Sequence, residues 1–443
     1  MTDQDIPTGK EPPRVSADEA VRLVQSGNRV YIHEAAMAPH ELLEALTRRA
    51  RELHDVETVS LHTEGPAPYV APELEGHIRH NALFVGANVR AAVNAGRADY
   101  TPVFLSEVPS LIAQGVLPID VALLQVTPPD RHGFCRLGTS VACARAAVDH
   151  ARIVIAQVNP RVPRTLGNSA VHVSRFAAIV EVDRPLPAPE SRPLGDIELL
   201  IGEQVAALVS NGATLQIGIG GVPDAVMAAL RNHVDLGVHT EMMSDGLVAL
   251  AEAGVINNRL KSTWNGRMVT SFAVGSERLM EFVDNNPFVE FHPTNIVNDT
   301  REIRRLNRMT AINSALQIDL TGQVVADSIG TRIYSGIGGQ MDFVRGARLA
   351  PHGKAILAFP ATAKNGTVSR IVPMLDPGAG VVTTRGHVEY IATEYGVVNL
   401  AGQSLRRRAD LLISLAHPDF RRDLLASSVA RRWFVGVNAP QPD

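Results

Sequence analysis

Along this chain, short apolar runs alternate with longer stretches whose apolar residues recur at helical spacing. The short runs include ALLQVTP, IVIAQVN, TLQIGIG, RIYSGIG and AILAFPA, and each ends in Gly, Pro or polar residues. Such alternation predicts strands joined by helices, hence mainly parallel sheets with helices on both faces. Ligands of such sheets collect at the carboxyl ends of the strands, so those ends are where chemistry is expected.

One segment breaks the pattern. EVDRPLPAPESRPLGDIE (181–198) carries Pro185, Pro187, Pro189 and Pro193. Proline-dense chain is extended and joins neither a helix nor a sheet interior. It predicts two domains, 1–190 and 191–443. The halves look related. Residues 17–46, ADEAVRLVQSGNRVYIHEAAMAPHELLEAL, and 201–230, IGEQVAALVSNGATLQIGIGGVPDAVMAAL, both read as helix, Gly turn, short apolar strand, small-residue loop, Pro, helix. Gly27 matches Gly212, Ile32 matches Ile217, and Pro39 matches Pro223 after a one-residue gap. Each unit is later followed by an apolar residue and then His-Thr-Glu, at His62–Glu64 and again at His239–Glu241. The expected fold is therefore a pair of related open α/β domains, internally duplicated.

Composition narrows the classes. The chain has 443 residues, 45% of them hydrophobic and 20% charged, an ordinary globular balance. A formal net charge of −4 argues against nucleic acid as the main partner. Only four of the cations are Lys (Lys10, Lys261, Lys354 and Lys364), and the Arg that make up the rest suit phosphate-bearing ligands. Two cysteines, Cys135 and Cys143, form neither a disulfide framework nor a zinc pattern. The N-terminal MTDQDIPTGKEPP lacks an apolar core of signal-peptide length, and no run approaches the roughly 20 apolar residues that span a bilayer. The expectation is a cytoplasmic protein with no membrane partner and no metal.

Three strand ends draw attention. In TLQIGIGGVPDAVMAAL, Gly218, Gly220 and Gly221 follow a strand and Pro223 takes the first helical position. Glycines let backbone amides approach a ligand, although they also serve a plain tight turn. The third glycine of a dinucleotide fingerprint is replaced by Pro223, which argues against a nicotinamide cofactor. In VDLGVHTEMMSDGLVALAEAG, LGVHT reads as a strand and GLVALAEAG as a helix capped by Ser244 or Asp245, placing Glu241 in the turn at the strand's carboxyl end. In TRIYSGIGGQMDFVRGARL, Gly336, Gly338 and Gly339 again end a strand and precede a helix. Two amide-rich loops and a carboxylate suit acyl transfer, because amides hold a developing oxyanion and a carboxylate attacks a carbonyl.

These stretches, with GHIRHNALFVGANVR (76–90), LSEVPSLI (105–112), VTPPDRHGFCRLGTSV (126–141), VNPRVPRTLG (158–167), AINSALQIDLTGQ (311–323) and TEYGVVNLAGQSLRRRA (393–409), resemble the acetyl-CoA hydrolase/transferase family of class I CoA-transferases. They cover nearly the whole chain in order, and the subgroup they most resemble is the 4-hydroxybutyrate/acetate CoA-transferases. The resemblance implies duplicated α/β domains in a homodimer and a catalytic glutamate at Glu241. It also implies coenzyme A as a substrate with no prosthetic group, an acyl-CoA and a short-chain carboxylate as partners, and hydrolysis of acyl-CoA as the alternative outcome. It assigns the SGIGGQ loop, Gly336, Gly338, Gly339 and Gln340, to the oxyanion and CoA. Gly218, Gly220, Gly221 and Asn298 are implied on the substrate side. The stretch around Asn298, NIVNDTREIRRL, departs from the S-N-N-P form of relatives.

Other polar residues carry plainer expectations. Glu64, in HTEGPAPY, has no glycine-rich loop beside it, since residues 33–38 read HEAAMA. Glu107 and Glu394 read as structural or substrate-contacting, and Arg79, His80 and Asn81 form a polar cluster that could touch substrate. His417 caps or packs, both cysteines are buried small hydrophobes, and Arg406–Arg408 form a solvated helix face.

Overall fold

The computed structural model describes residues 11–188 and 192–430. Pro189 of the proline-rich seam and most of the N-terminal MTDQDIPTGKEPP lie outside the described residues. The chain forms two compact units. The first holds the described residues of Met1–Glu190 with Glu241–Asp245 and Arg267–Val297; the second holds those of Ser191–Thr240, Gly246–Gly266 and Asn298–Asp443.

The first unit is built on seven strands, β1 (Arg29–Ile32), β2 (Val56–Ser60), β3 (Ile78–Ala82), β4 (Asp99–Tyr100), β5 (Val121–Val126), β6 (Ile153–Val158) and β7 (Ala178–Glu181). Their order is β7-β6-β5-β1-β2-β3-β4, and every neighbouring pair is parallel. Central β5 is buried throughout, as its unbroken apolar run requires between two helical layers. Helix α1 (His40–Arg49) buries Leu42, Leu43, Ala45 and Leu46, the one face its i, i+3, i+4 spacing creates. Strand order reverses at β1, so the crevice between the ends of β1 and β5 is the switch point of this sheet.

Beyond residue 192 the chain continues with β8 (Thr214–Ile217), β9 (Gly237–Met243), β10 (Met268–Ala273), β11 (Val289–Phe291), β12 (Met309–Asn313), β13 (Lys354–Ala358), β14 (Tyr390–Thr393) and β15 (Gly396–Asn399). In the second unit the order is β15-β14-β13-β12-β8-β9, parallel except for the β14–β15 hairpin. In the first unit β10 pairs in parallel with β11, which pairs with Leu166–Gly167.

Duplication is visible in this wiring. β1 is flanked by the next strand of its half on one side and by β5 on the other, and β8 is flanked by β9 and β12 in the same way. The matched turn glycines behave alike too. Gly27 (φ 77°) and Gly212 (φ 74°) both adopt the left-handed region. Their amides donate to His54 and Val234 carbonyls at 2.9 Å in each case, just before the next strand of each half.

Two expectations need correcting. RIYSGIG is not a strand of the parallel sheet: only Arg332–Ile333 is extended, antiparallel to Ser328–Ile329 in a two-stranded hairpin. Gly330 and the half-exposed Tyr334 and Ser335 bound it, and a run that short and polar has no face to bury. Pro223 is not the first helical residue, because helix α3 (Gly221–Ala229) starts two residues earlier. Its missing N–H falls in the first turn, where an amide would lack an intrahelical partner anyway. Among the described residues no helix is long and apolar enough to cross a membrane.

One buried histidine makes folding pH-dependent. His80 lies inside β3, with its Nδ1 3.0 Å from Thr58 Oγ1, and burial pushes its imidazole down to about 4. The unfolded chain takes up that proton near 6.5, so the stabilisation from keeping His80 neutral is complete above 6.5 and is lost as pH falls towards 4. The full span is on the order of 3 kcal/mol. Urea titrations at pH 7 and pH 4.5 should show a smaller pH dependence in His80→Gln than in the parent chain. An equal pH dependence would place the loss in other groups.

Candidate active site

The second His-Thr-Glu lies inside β9 rather than after it, since the strand runs on through Met242 and Met243. Glu241 is thus not in the turn. The alternating expectation stops the strand at the charged residue, but the two methionines behind it are buried and extend the run. Within β9 Glu241 is the least buried residue. That makes it the position from which this strand can present a polar group to a ligand.

Hydrogen bonds hold the strand within each unit. The Thr240 hydroxyl is 3.4 Å from the Ile217 carbonyl at the end of β8. In the first unit, Thr270 Oγ1 on β10 is 3.2 Å from the Glu241 carbonyl and 3.0 Å from that of Phe272. Val274 N donates to the Met243 carbonyl at 3.1 Å, and Asp245, which opens helix α4 (Asp245–Glu252), accepts from Ser276 N at 2.9 Å and Ser276 Oγ at 2.6 Å.

In the second unit the Gly218–Gly221 loop leaves the end of β8 at that sheet's switch point. Gly218 N donates to the Ile312 carbonyl at 3.1 Å, and Gly220 (φ 115°) turns the chain into α3. Gln216 and Asn313 exchange both amide hydrogen bonds beneath it, at 3.1 and 2.9 Å, and both are buried. Gly221 also has a packing reason to be glycine, because a Cβ there would strike Glu198 and Arg192.

Gly336, Gly338 and Gly339 lie in the loop before helix α5 (Gln340–Leu349). Ser335 N and Tyr334 N both donate to the Asp327 carbonyl, at 3.0 and 2.7 Å, and Gly338 adopts φ 58°. Gln340 opens the helix buried, with Nε2 donating to Thr383 Oγ1 at 3.0 Å. Asn298 is buried, and its Nδ2 is 3.3 Å from Asp342 Oδ2 in the first turn of α5. The structure therefore joins Asn298 to the helix that leaves the Gly338 loop. Gln216, Asp342, Thr383 and Thr270 do not stand out from the sequence. Only Asn313, a polar residue closing an apolar run in TAINSA, leaves a signal there.

The first His-Thr-Glu is occupied differently. Its turn is tied down: Ala35 N donates to the His62 carbonyl at 2.7 Å and Glu64 N to the Ala35 carbonyl at 3.1 Å. Asn88 Nδ2 reaches Thr63 O, Thr63 Oγ1 and Gly65 O, and Thr63 Oγ1 meets the Tyr69 hydroxyl at 3.1 Å. His62 packs its ring on Phe84 and Phe272, 5.8 and 5.5 Å between centroids, with Nε2 3.6 Å from Glu64 Oε1. Burial lowers the His62 pKa, opposed by the charge of Glu64. Both triplets thus touch β10, one through a ring and one through a backbone carbonyl.

Several of the remaining polar candidates have partners within the fold. Arg79 pairs with Asp99, Asn81 Nδ2 donates to Glu57 at 3.0 Å, and Glu394 accepts from Ala361 N at 2.8 Å. Glu107 precedes the helix Val108–Ala113, and His417 stacks edge-on to Tyr395. Arg408 is not a solvated side chain: it is buried and donates to the carbonyls of Arg385 at 2.6 Å and Thr321 at 3.3 Å. Burial pushes the Cys135 thiol up to about 12 and the Cys143 thiol well above its ordinary value, so neither offers a thiolate. Among the described residues no His, Cys, Asp and Glu cluster is placed to hold a metal ion.

Two family models match the chain, the acetyl-CoA hydrolase/transferase N-terminal domain over residues 9–188 and its C-terminal domain over 275–428. The 4-hydroxybutyrate coenzyme A transferase of Clostridium kluyveri is 48% identical over 93% of this chain and 96% of its own. The succinyl-CoA:acetate/propanoyl-CoA:succinate CoA transferase of Fasciola hepatica is 46% identical over 92% of this chain and 86% of its own. Among solved structures, the 4-hydroxybutyrate CoA-transferase of Porphyromonas gingivalis superposes with a TM-score of 0.82, at 39% identity, over 95% of this chain and 98% of that one.

Proposed function

The chain belongs to the acetyl-CoA hydrolase/transferase family, and from that premise we propose how its residues transfer coenzyme A. It is an enzyme, a CoA-transferase that moves CoA between a short-chain acyl-CoA and a carboxylic acid. In the proposed reaction Glu241 is the nucleophile. Its carboxylate attacks the thioester carbonyl, the C–S bond breaks, and an acyl-glutamyl anhydride and CoA thiolate result. The thiolate then attacks the glutamyl carbonyl of the anhydride, forming a glutamyl-CoA thioester and releasing the first acid as its carboxylate. An incoming carboxylate runs the same steps in reverse.

The observation that carries this reading is Glu241 itself, the least buried residue of β9, with its carbonyl held by Thr270 on β10. A carboxylate is a weak nucleophile, so the site must remove water from it while oriented donors keep it ionised. The amides of the Gly338–Gly339 loop are proposed as oxyanion donors, with Gly336 and Gln340 shaping that loop around CoA. Gly218, Gly220, Gly221 and Asn298 are proposed on the substrate side. Residues 1–190 and 191–443 are read as the two family domains. The reading includes a homodimer and a cytoplasmic setting, the latter supported by two free, buried thiols.

Anhydride and glutamyl thioester both hydrolyse readily, so partitioning between acid and water defines the activity. With butyryl-CoA and excess acetate, acetyl-CoA should form at least about tenfold faster than free CoA, a preference of about 1.4 kcal/mol. Free CoA as the main product at saturating acetate would make the chain a hydrolase on the same scaffold.

A further inference from the structure

Glu34 is fully buried, and the reaction above gives it no part. It directly follows His33 at the carboxyl end of β1, in the switch-point crevice of the first unit. The crevice is filled by the protein's own carboxylate. Glu34 Oε1 accepts from Ser140 Oγ at 2.9 Å, Cys143 N at 3.0 Å and Ala144 N at 3.3 Å, while Oε2 accepts from the Tyr31 hydroxyl. Ala144 opens helix α2 (Ala144–His150), so two of these donors are amides of a helix start that have no intrahelical acceptor. His33 Nε2 adds a contact of 2.9 Å to the Ser140 carbonyl. When Ile32 is matched to Ile217, Glu34 takes the place of Ile219, which is 59% exposed. The matched side chain is thus exposed in the second half where that of the first half is buried.

The plug is connected to Glu241. Residues 139–142, held by Glu34, run along β10: Ala273 N donates to the Thr139 carbonyl at 2.8 Å, and Val141 N and Ala142 N donate to the Ser271 carbonyl at 3.0 and 3.2 Å. Ser140 and Phe272 form an antiparallel bridge. Thr270, which precedes Ser271 on β10, is the residue whose hydroxyl meets the Glu241 carbonyl. A fully buried carboxylate with four donors is costly to disturb, because removing it orphans each of them in a low-dielectric interior.

We propose that Glu34 is a positioning residue for catalysis, setting β10 through residues 139–144 and so the strand that carries Glu241. This rests on Glu241 being the nucleophile. The role is geometric, so the neutral isostere should serve: in Glu34→Gln the amide oxygen keeps the Ser140, Cys143 and Ala144 donors, and the amide N–H₂ faces a Tyr31 hydroxyl that can turn to accept.

The test measures steady-state transfer from butyryl-CoA to acetate and, separately, the rate at which borohydride-trappable adduct appears on Glu241. Misplacing a reacting group by about 1 Å can cost about 100-fold. Glu34→Ala should accordingly lose about 30-fold or more in kcat and in adduct formation, with KM for butyryl-CoA changed less than about threefold and the adduct still on Glu241. Glu34→Gln should recover most of that loss. Should Glu34→Ala not fold, Ser140→Ala removes one donor and should lower kcat by about threefold or more at a temperature well below its melting point. Wild-type kcat in folded Glu34→Ala, or in Ser140→Ala if the former does not fold, would overturn the inference. Glu34→Gln as slow as Glu34→Ala would also overturn it. Absence of any Glu241 adduct in the parent enzyme would instead overturn the assignment of the nucleophile, so the two failures are distinct.

Discussion

Glu241→Gln is expected to lower kcat for transfer from butyryl-CoA to acetate by at least about 10³-fold, the scale of losing a covalent nucleophile. The replacement keeps the shape of the side chain and leaves the backbone contacts at Thr240 and Thr270 in place. The melting temperature should therefore stay near that of the parent chain, and binding of butyryl-CoA should survive. Glu64→Gln is the matched control. Glu64 sits in a turn held by Ala35 and Asn88, beside His62, and its loss should not abolish adduct formation. Equal loss in both variants would mean that the two triplets share the chemistry.

Gly338→Val should cut kcat by about 10²-fold, the cost of misplacing one oxyanion donor. Gly338 adopts φ 58°, where a β-branched residue is a true outlier, so the loop must rearrange and carry its amides with it. Gly27→Ala separates this from a general backbone effect. Gly27 has φ 77°, and a Cβ added there would meet nothing within 4 Å, so the change should cost about 1 kcal/mol of stability and leave kcat alone. Parallel measurements of kcat and of urea midpoints check both. A Gly338→Val enzyme with parental kcat would remove that loop from the oxyanion role.

Much of this architecture is legible in the sequence because its signals are local. Parallel strands buried on both faces read as unbroken apolar runs, and the run ALLQV of β5 is a strand as expected. The duplication is legible from Gly27 and Gly212, since a left-handed turn selects glycine wherever it occurs. RIYSGIG misleads because a strand run followed by glycines looks the same whether it joins a sheet or a two-residue hairpin. Glu241 stands out in the sequence, but the pattern places it just past its strand, because a charged residue usually ends a buried strand and here the methionines beyond it are buried.

What the sequence hides is long-range. Nothing in HEAAMA announces that Glu34 will meet Ser140 and the amides of residues 143 and 144, more than a hundred positions away. Gln216 with Asn313, and Asn298 with Asp342, are likewise partners only once β8, β12 and α5 are assembled. Arg408 looks solvated within RRR, yet its carbonyl acceptors come from Thr321 and Arg385. Such contacts belong to packing rather than to spacing.

The most direct test of the account is to identify the residue that becomes covalently modified. The enzyme is incubated with butyryl-CoA, the glutamyl thioester is trapped with borohydride or hydroxylamine, and the modified peptide is mapped by mass spectrometry. The account predicts a single modified glutamate, Glu241, in the peptide that contains GVHTEMMSDG. Modification at Glu64, or turnover with no glutamate modified, would contradict it.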